Sequence, residues 1–163
     1  MAASSGLYRA IHGDPDYEHV VNDGRPTRFH DWVRGRQVYA QWVGLGFKGG
    51  YKLHVSSHPD DAEAVASLLL PRLRAMNTYH KIVSSPRQYE LINEGSQQGK
   101  FITVYCGPVM ETFQNAIRSL DRALELSRTR PGPRPGLRHG TGAETPIGQT
   151  GHLTYYTIED FSR

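Results

Sequence analysis

Three short segments in which apolar and polar residues alternate constrain the fold of this chain more than any other feature. They are YKLHVSS (51–57), YHKIVSS (79–85) and KFITVYC (100–106). A period of two, with β-branched and aromatic residues, is typical of β-strands that bury one face. Each of these segments is followed by one of helical character, so the order strand–helix repeats three times along the chain.

The helical segments carry start signals as well as periodicity. Residues 58–77 open with Pro59 and a run of acidic residues at the positive end of the helix dipole, and Pro71 is expected to kink or shorten this helix. Residues 85–93 begin at Ser85 with a proline next to it. The segment 108–127 is the most regular, because its apolar residues recur at spacings of three and four. Those residues are Val109, Phe113, Ile117, Leu120 and Leu124.

Two further strands complete the expected architecture, at 36–45 and 152–158. We predict an α/β (α+β) protein with a single compact domain over 1–163, built on a twisted sheet of about four to six strands flanked by helices. Residues 1–50 are expected to form an N-terminal lid or substrate-binding segment. Residues 128–151, rich in Pro and Gly, are expected to form a flexible loop before the last strand.

Composition excludes several classes of protein. The chain has no apolar run long enough to cross a membrane, and its first residues lack the layout of a secretory signal. A single cysteine, Cys106, excludes an internal disulfide framework and a zinc site built from several cysteines, and it is expected to be a buried thiol. These features favour a cytoplasmic protein, although an exported effector would have the same features.

The charge balance favours an anionic ligand. The formal net charge is +3 and the sequence pI is about 9.1, which suits a phosphate group as well as a nucleic acid. The densest basic stretch, RTRPGPRPGLRHG (128–140), is interrupted by prolines and glycines and does not form a continuous basic face. Nucleic-acid binding is therefore not favoured.

The polar faces of the predicted strands carry residues that could perform chemistry. Lys52 and His54 are two positions apart and project from the same face of their strand, and the next strand offers Lys81. Such a face can simply be exposed to solvent. If the strands are neighbours, however, the clustered cations repel one another unless an anion compensates them. The third and last strands would add further polar side chains, namely Thr103, Tyr105, His152, Thr154 and Tyr156.

The three strand segments together resemble a known family. GYKLHVSSHPDDAEAV, YHKIVSS and GKFITVY, within residues 49–126, are similar to the phosphothreonine and phosphoserine lyases. That family includes bacterial type III effectors that inactivate host MAP kinases, and the lyase domains of lanthipeptide synthetases. The lanthipeptide-type strands match more closely.

The resemblance implies β-elimination of phosphate from a phosphorylated Ser or Thr, which leaves a dehydroamino acid. In this family pattern Lys81 is the base that removes the Cα proton, with its pKa lowered by Lys52, and His54 protonates the leaving phosphate. Lys52 stabilises the enolate-like charge on the substrate carbonyl. Tyr105 lines the phosphate pocket, and neither a metal nor an organic cofactor is needed.

The phosphate contacts depart from the family pattern, which uses several arginines. No arginine precedes the third strand in NEGSQQG (93–99), and Tyr156 stands where an effector arginine is expected. Arg163 falls at the spacing of another effector arginine, whereas a lanthipeptide-type alignment points to Arg138, and both alignments stay open. We therefore expect the phosphate to be held by a subset of four cationic side chains, namely Arg87, Lys100, Arg138 and Arg163.

Other hypotheses remain. LHVS (53–56) and HLTY (152–155) both fit the H-x-[ST] pattern of two-histidine phosphoesterases, in which His54 and His152 would act as acid and base on a cyclic phosphate or an RNA end. The chain could also be a phosphopeptide-binding module without activity. A fainter similarity joins GLYRAIHG (6–13) to the arginine strand of ADP-ribosyltransferases, with Ser56 and Glu159 as counterparts.

The expected partner is a phosphorylated peptide or protein, and a separate Ser/Thr kinase would have to supply it. Between the two roles in the family, maturation of a ribosomally made, lanthipeptide-like peptide is favoured over inactivation of a host kinase.

Overall fold

The structure is a computed structural model. It describes residue 8 and the ranges 16–20, 39–42, 49–93, 98–133 and 144–157. Every contact reported below joins residues of these ranges.

The centre of the molecule is one sheet in which every pair of neighbouring strands is antiparallel. Seven strands are described, in the spatial order β1-β2-β4-β5-β3-β7-β6. Their bounds are β1 Glu18–Val20, β2 Tyr39–Trp42, β3 Tyr51–Val55, β4 Tyr79–Val83, β5 Ile102–Gly107, β6 Thr145–Ile147 and β7 Leu153–Thr157.

Three helices follow β3, β4 and β5, as the sequence predicts. They are α1 Ala62–Ala75, α2 Pro86–Ile92 and α3 Met110–Ser127. A 3-10 turn, Pro59–Asp61, leads into α1. The Ser85 hydroxyl caps α2 by accepting a hydrogen bond from the backbone N–H of Gln88 at 3.1 Å. Pro71 lies inside α1 but does not shorten it, because the helix continues for four residues beyond the proline.

One face of the sheet forms the core. Leu53, Val55, Ile82, Ile102 and Val104 are fully buried on it. The apolar sides of α1 and α3 cover this face, since Leu69, Leu73, Leu120 and Leu124 belong to the same cluster. Val109 is an exception to the predicted apolar face of α3, because it is the residue before the helix and is 55% exposed.

Two glycines make close approaches that a larger residue would prevent. Gly50, at φ +85°, immediately precedes β3, and a Cβ placed on it would lie 2.4 Å from the backbone of Gly107 at the end of β5. A Cβ on Gly132 would lie 2.4 Å from the carbonyl oxygen of Ser57. The segment after α3 is therefore packed directly against the turn that follows β3.

The predicted α+β fold is confirmed, with a sheet larger than expected. The sequence predicts at most six strands, whereas seven are described, because β1 and β6 contain only three residues each and are too short for a period of two to be recognised. Strand β6 lies inside the segment 128–151 that was expected to be a loop.

Candidate active site

The face of the sheet opposite the core carries a row of polar side chains. Residues paired directly across antiparallel strands lie side by side on the same face. The pairing runs from β2 through β4, β5 and β3 to β7. Along it the row reads Gln41, Lys81, Thr103, His54 and Thr154, in spatial order. The predicted meeting of Lys81 and His54 on one face therefore occurs, with Thr103 between them.

His54 is held by a carboxylate from a distant part of the chain. Its Nδ1 lies 2.7 Å from Oε1 of Glu144, the residue immediately before β6, and His54 is only 2% exposed. The Thr154 hydroxyl donates to the same carboxylate oxygen at 2.9 Å. Glu144 was not identified from the sequence, because it lies in the Pro/Gly-rich segment and belongs to no periodic pattern.

Burial sets the charge state of this pair. It lowers the pKa of His54 to about 4, an effect opposed by Glu144 and reinforced by the charges of Lys52 and Lys100. Burial alone would raise the pKa of Glu144, but the hydrogen bond from His54 and the other nearby groups bring it below its ordinary value. Near pH 7 the pair is a neutral imidazole and a carboxylate, so Nδ1–H donates to Glu144 and Nε2 carries the lone pair.

Lys100 neutralises the other side of the carboxylate. Its Nζ lies 3.9 Å from Oε2 of Glu144, and both side chains are almost fully buried. Lys100 was predicted to contact phosphate. The structure places it beside Glu144, at the start of the chain segment that leads into β5.

Lys52 lies between two tyrosines on the neighbouring strands. Its Nζ is 5.5 Å from the ring centroids of both Tyr105 on β5 and Tyr156 on β7, which are the residues paired with it in the sheet. The Tyr156 ring also lies 5.9 Å from the ring of His54. Lys52, His54, Tyr105 and Tyr156, all predicted site residues, are thus gathered on adjacent strands.

Lys81 points toward the other side of the site. Its Nζ lies 4.5 Å from the ring centroid of Tyr39 on β2. In the register of the sheet, Lys52 is two strands away and is paired with Tyr105 rather than with Thr103. The lowering of the Lys81 pKa by Lys52 therefore remains a prediction.

Of the three predicted arginines, only Arg87 is among the described residues. Arg138 and Arg163 lie outside the described residues. Arg87 is exposed on α2, and it makes none of the hydrogen bonds that join His54, Glu144 and Thr154 in the described ranges. The identity of the phosphate ligands remains a prediction.

His152 occupies a different environment from His54. It is 1% exposed, and its Nε2 lies 3.3 Å from the Thr129 hydroxyl, in the segment that follows α3. Its carbonyl oxygen accepts a hydrogen bond from the backbone N–H of Ser56 at 2.8 Å. A two-histidine phosphoesterase needs both imidazoles at one phosphate, and the contact with Thr129 does not favour that arrangement.

The described residues offer neither a metal cluster nor a membrane-spanning helix. Within 8, 16–20, 39–42, 49–93, 98–133 and 144–157, no group of three or more His, Cys, Asp or Glu side chains is arranged to hold a metal ion. None of the helices in those ranges is long and apolar enough to span a bilayer. Cys106 is 3% exposed, and burial raises the pKa of its thiol to about 12, as expected for a buried thiol.

Comparison of sequences identifies one family. The family model described as "RamC, N-terminal domain" matches residues 17–134, which is more than two thirds of the chain. This range includes Lys52, His54 and Lys81. The search among curated proteins found no match.

Comparison of structures shows the fold of phosphothreonine lyases. The phosphothreonine lyase OspF from Shigella flexneri superposes with a TM-score of 0.55 at 16% identity, covering 96% of this chain and 90% of that one. SpvC from Salmonella superposes with a TM-score of 0.55 at 13% sequence identity, covering 99% of this chain and 92% of SpvC. VirA from Chromobacterium violaceum superposes with a TM-score of 0.52 at 14% sequence identity, covering 93% of this chain and 82% of VirA. At these identities the likeness concerns the fold.

Proposed function

The chain belongs to the RamC N-terminal domain family and has the fold of phosphothreonine lyases; from this premise we propose that it eliminates phosphate from phosphothreonine or phosphoserine in a peptide. The observation that carries the proposal is the row on which Lys81 and His54 flank Thr103, with His54 held by the buried Glu144. A base and an acid on one face, separated by one strand, match a reaction that removes a proton and a leaving group from adjacent carbons.

In the proposed reaction, the neutral amine of Lys81 removes the proton from Cα of the phosphorylated residue. The electron pair of that C–H bond forms the Cα=Cβ double bond, and the Cβ–O bond breaks. The phosphate leaves with the electron pair of the Cβ–O bond and takes a proton from His54. The products are a dehydroamino acid and hydrogen phosphate, and no oxidant or second substrate is required.

The acid role of His54 requires a proton that it lacks in the structure described above. A dianionic phosphate beside Nε2 favours the imidazolium, and Glu144 stabilises the same charge through Nδ1. The substrate thus supplies the electrostatic condition under which His54 becomes an acid. Because His54 is 2% exposed, binding also has to open access to its ring.

Lys52 is the group proposed to stabilise the negative charge that develops on the substrate carbonyl. It is half-buried between Tyr105 and Tyr156, which limits its hydration and fixes its position. Tyr105 and Tyr156 are in turn proposed to line the space occupied by the phosphorylated side chain.

Arg138 is the cation proposed for the phosphate. The described ends of its segment lie at the site: Gly132 N–H donates to Ser56 Oγ at 3.1 Å, and Glu144 contacts His54. Arg138 is six positions along the sequence from each of these two residues, and this short separation supports its choice. Arg163 and Arg87 remain further candidates, whereas Lys100 is proposed to act through Glu144.

The proposed substrate is a ribosomally made, lanthipeptide-like peptide that a separate Ser/Thr kinase phosphorylates. The RamC N-terminal domain match, which includes Lys52, His54 and Lys81, supports this role over that of a kinase-inactivating effector. The proposed location is the cytoplasm, where such a precursor is made.

The test is incubation with a phosphothreonine peptide and, separately, with a cyclic nucleotide phosphate, followed by mass spectrometry. We expect the peptide to lose phosphoric acid, about 98 Da, and Lys81→Ala and His54→Ala to abolish this loss. The control is Lys81→Arg, which keeps the positive charge. A guanidinium stays protonated at neutral pH and cannot act as a base, so this variant is expected to be equally inactive.

Two results would exclude the lyase. Opening of the cyclic phosphate, abolished by His152→Ala, would assign the chain to the phosphoesterases. Tight binding of the phosphopeptide without a change in mass would identify a recognition module.

A further inference from the structure

We propose that Gln41 is a substrate-positioning residue that binds the peptide main chain next to the phosphorylated residue, on the β2 side of the site. This inference rests on the proposed function, because it follows from where an elimination must place its substrate. Gln41 belongs to the same row as Lys81 and His54, but it has no role in the reaction proposed above.

The order of groups along the row fixes how the substrate lies. The phosphate oxygen must be at His54 and the Cα–H bond at Lys81, and these two residues are separated only by Thr103. The carbonyl carbon and the amide nitrogen of the substrate are bonded to Cα. With the carbonyl turned toward Lys52, as proposed above, the amide nitrogen is the main-chain atom that lies on the Lys81 side of the row, over β4 and β2, and the phosphate lies over β3 and β7.

Gln41 is the next side chain along the row in that direction. It is paired directly with Lys81, so their Cα atoms are about 4.5–5.5 Å apart and their side chains share a face. Both residues are half-buried. The Lys81 ammonium also leans to this side, toward the Tyr39 ring at 4.5 Å. The base and Gln41 thus meet the same part of the substrate.

Glu18 orients the Gln41 amide. Nε2 of Gln41 donates to Oε2 of Glu18 on β1 at 3.5 Å, a long contact between residues that are themselves paired in the sheet. The opposite orientation of the amide would bring two oxygens together. The carbonyl oxygen of Gln41 is consequently the end offered to the substrate, and its natural partner is a peptide N–H.

Binding measurements separate this subsite from the phosphate site. The probe is a peptide in which a phosphonate isostere, with CH₂ replacing the bridging oxygen, prevents elimination, and inorganic phosphate is measured beside it. We expect Gln41→Ala to weaken peptide binding about tenfold and to leave phosphate binding within twofold, since a tenfold change corresponds to one ordinary hydrogen bond. Gln114→Ala, an exposed glutamine on α3, is the matched control and should change neither.

N-methylation of the peptide gives a second readout that a merely structural role would not move. Methylating the amide nitrogen whose N–H donates to Gln41 should weaken peptide binding to the wild type about tenfold. The same methylation should leave peptide binding to Gln41→Ala unchanged. Equal peptide affinity of Gln41→Ala and Gln114→Ala would overturn the proposal, as would a parallel loss of phosphate binding. Failure of the wild type to release phosphate from an ordinary phosphopeptide would instead count against the proposed reaction, and the two failures are therefore distinguishable.

Discussion

Nδ1 of His54 lies 2.7 Å from Oε1 of Glu144, although the two residues are 90 positions apart in the chain. One lies on the interior strand β3 and the other immediately precedes β6, the last strand in the described order. The contact fixes the ring orientation of His54 and supplies the negative charge that an imidazolium at this position would need. It also links the proposed chemistry to the placement of β6.

Replacing Glu144 with Gln should therefore reduce turnover more than binding. The variant keeps the size of the side chain but loses the charge that stabilises protonated His54. We expect kcat for phosphopeptide elimination to fall about 100-fold, with KM within threefold, because loss of a positioned general acid costs on the order of 10²–10⁴. Steady-state kinetics checks this, with Glu125→Gln on the exposed side of α3 as control. A variant with unchanged kcat would remove Glu144 from the mechanism.

Replacing Lys100 with Met should move the pH dependence of the reaction. The ammonium 3.9 Å from Glu144 helps to hold the carboxyl pKa below its ordinary value, and its charge also lowers the pKa of His54. Without it the pKa of the Glu144 carboxyl rises, so the carboxylate is lost at a higher pH and the acid limb of kcat/KM should shift to higher pH. Profiles from pH 4 to 8 measure the shift. If the limb stays in place while inhibition by inorganic phosphate weakens, Lys100 contacts the phosphate instead.

Replacing Asp121 with Ala should loosen the hairpin that ends at the site. Its carboxylate on α3 accepts hydrogen bonds from the backbone N–H groups of Gln149 and Thr150, in the turn between β6 and β7. We expect a loss of about 1–3 kcal/mol in the free energy of unfolding, together with lower kcat through displacement of Glu144. Urea denaturation and kinetics test the two effects. Arg122→Ala, the exposed neighbour, should alter neither, and an Asp121→Ala protein of wild-type stability would contradict the anchoring role.

Acid should destabilise the protein through buried histidines, of which His54 and His80 have the clearest effect. Burial lowers the pKa of both His54 and His80 from 6.5 to about 4, so between these values the unfolded chain binds more protons than the folded one. The stability is complete above pH 6.5 and is lost as the pH falls toward 4, by about 3 kcal/mol for each histidine. Urea midpoints at pH 7.5 and pH 4.5 measure the loss.

His80 offers the cleaner variant for this test, because it lies on the core face. Its Nδ1 donates to the Thr78 carbonyl at 2.8 Å, and its Nε2 accepts from the Tyr17 hydroxyl at 2.8 Å. His80→Phe should lower stability at pH 7.5 but show a smaller further drop at pH 4.5 than the wild type. His58→Ala, at a more exposed position, should retain the full drop. An equal drop in His80→Phe would show that His80 is not the group that titrates.

Strand and helix positions were largely predictable because they depend on local patterns. The alternation in YKLHVSS, YHKIVSS and KFITVYC gave β3, β4 and β5, since a half-buried strand must place every second residue in the core. The start signals at Pro59 and Ser85 located the turn before α1 and the start of α2. The same alternation predicted that Lys52 and His54 project from one face of β3. It also predicted that Lys81 projects from the polar face of β4.

Where local pattern is absent or overruled, the sequence was less informative. Strands β1 and β6 are three residues long, too short to show a period. Pro71 would break an isolated helix, yet α1 continues past it because Leu69, Leu70 and Leu73 are buried in the core and tertiary packing outweighs the lost hydrogen bond.

The sequence by itself determined which residue types face one side of each strand, and through a family resemblance it suggested their roles. Only the tertiary structure decided which strands are neighbours, and hence that Gln41, Lys81, Thr103, His54 and Thr154 form one row. The tertiary structure also decided that Glu144 contacts His54 and that His152 contacts Thr129. The physical reason is that strand order and long-range contacts arise from burying α1 and α3 on one sheet face, a global balance that no local spacing encodes.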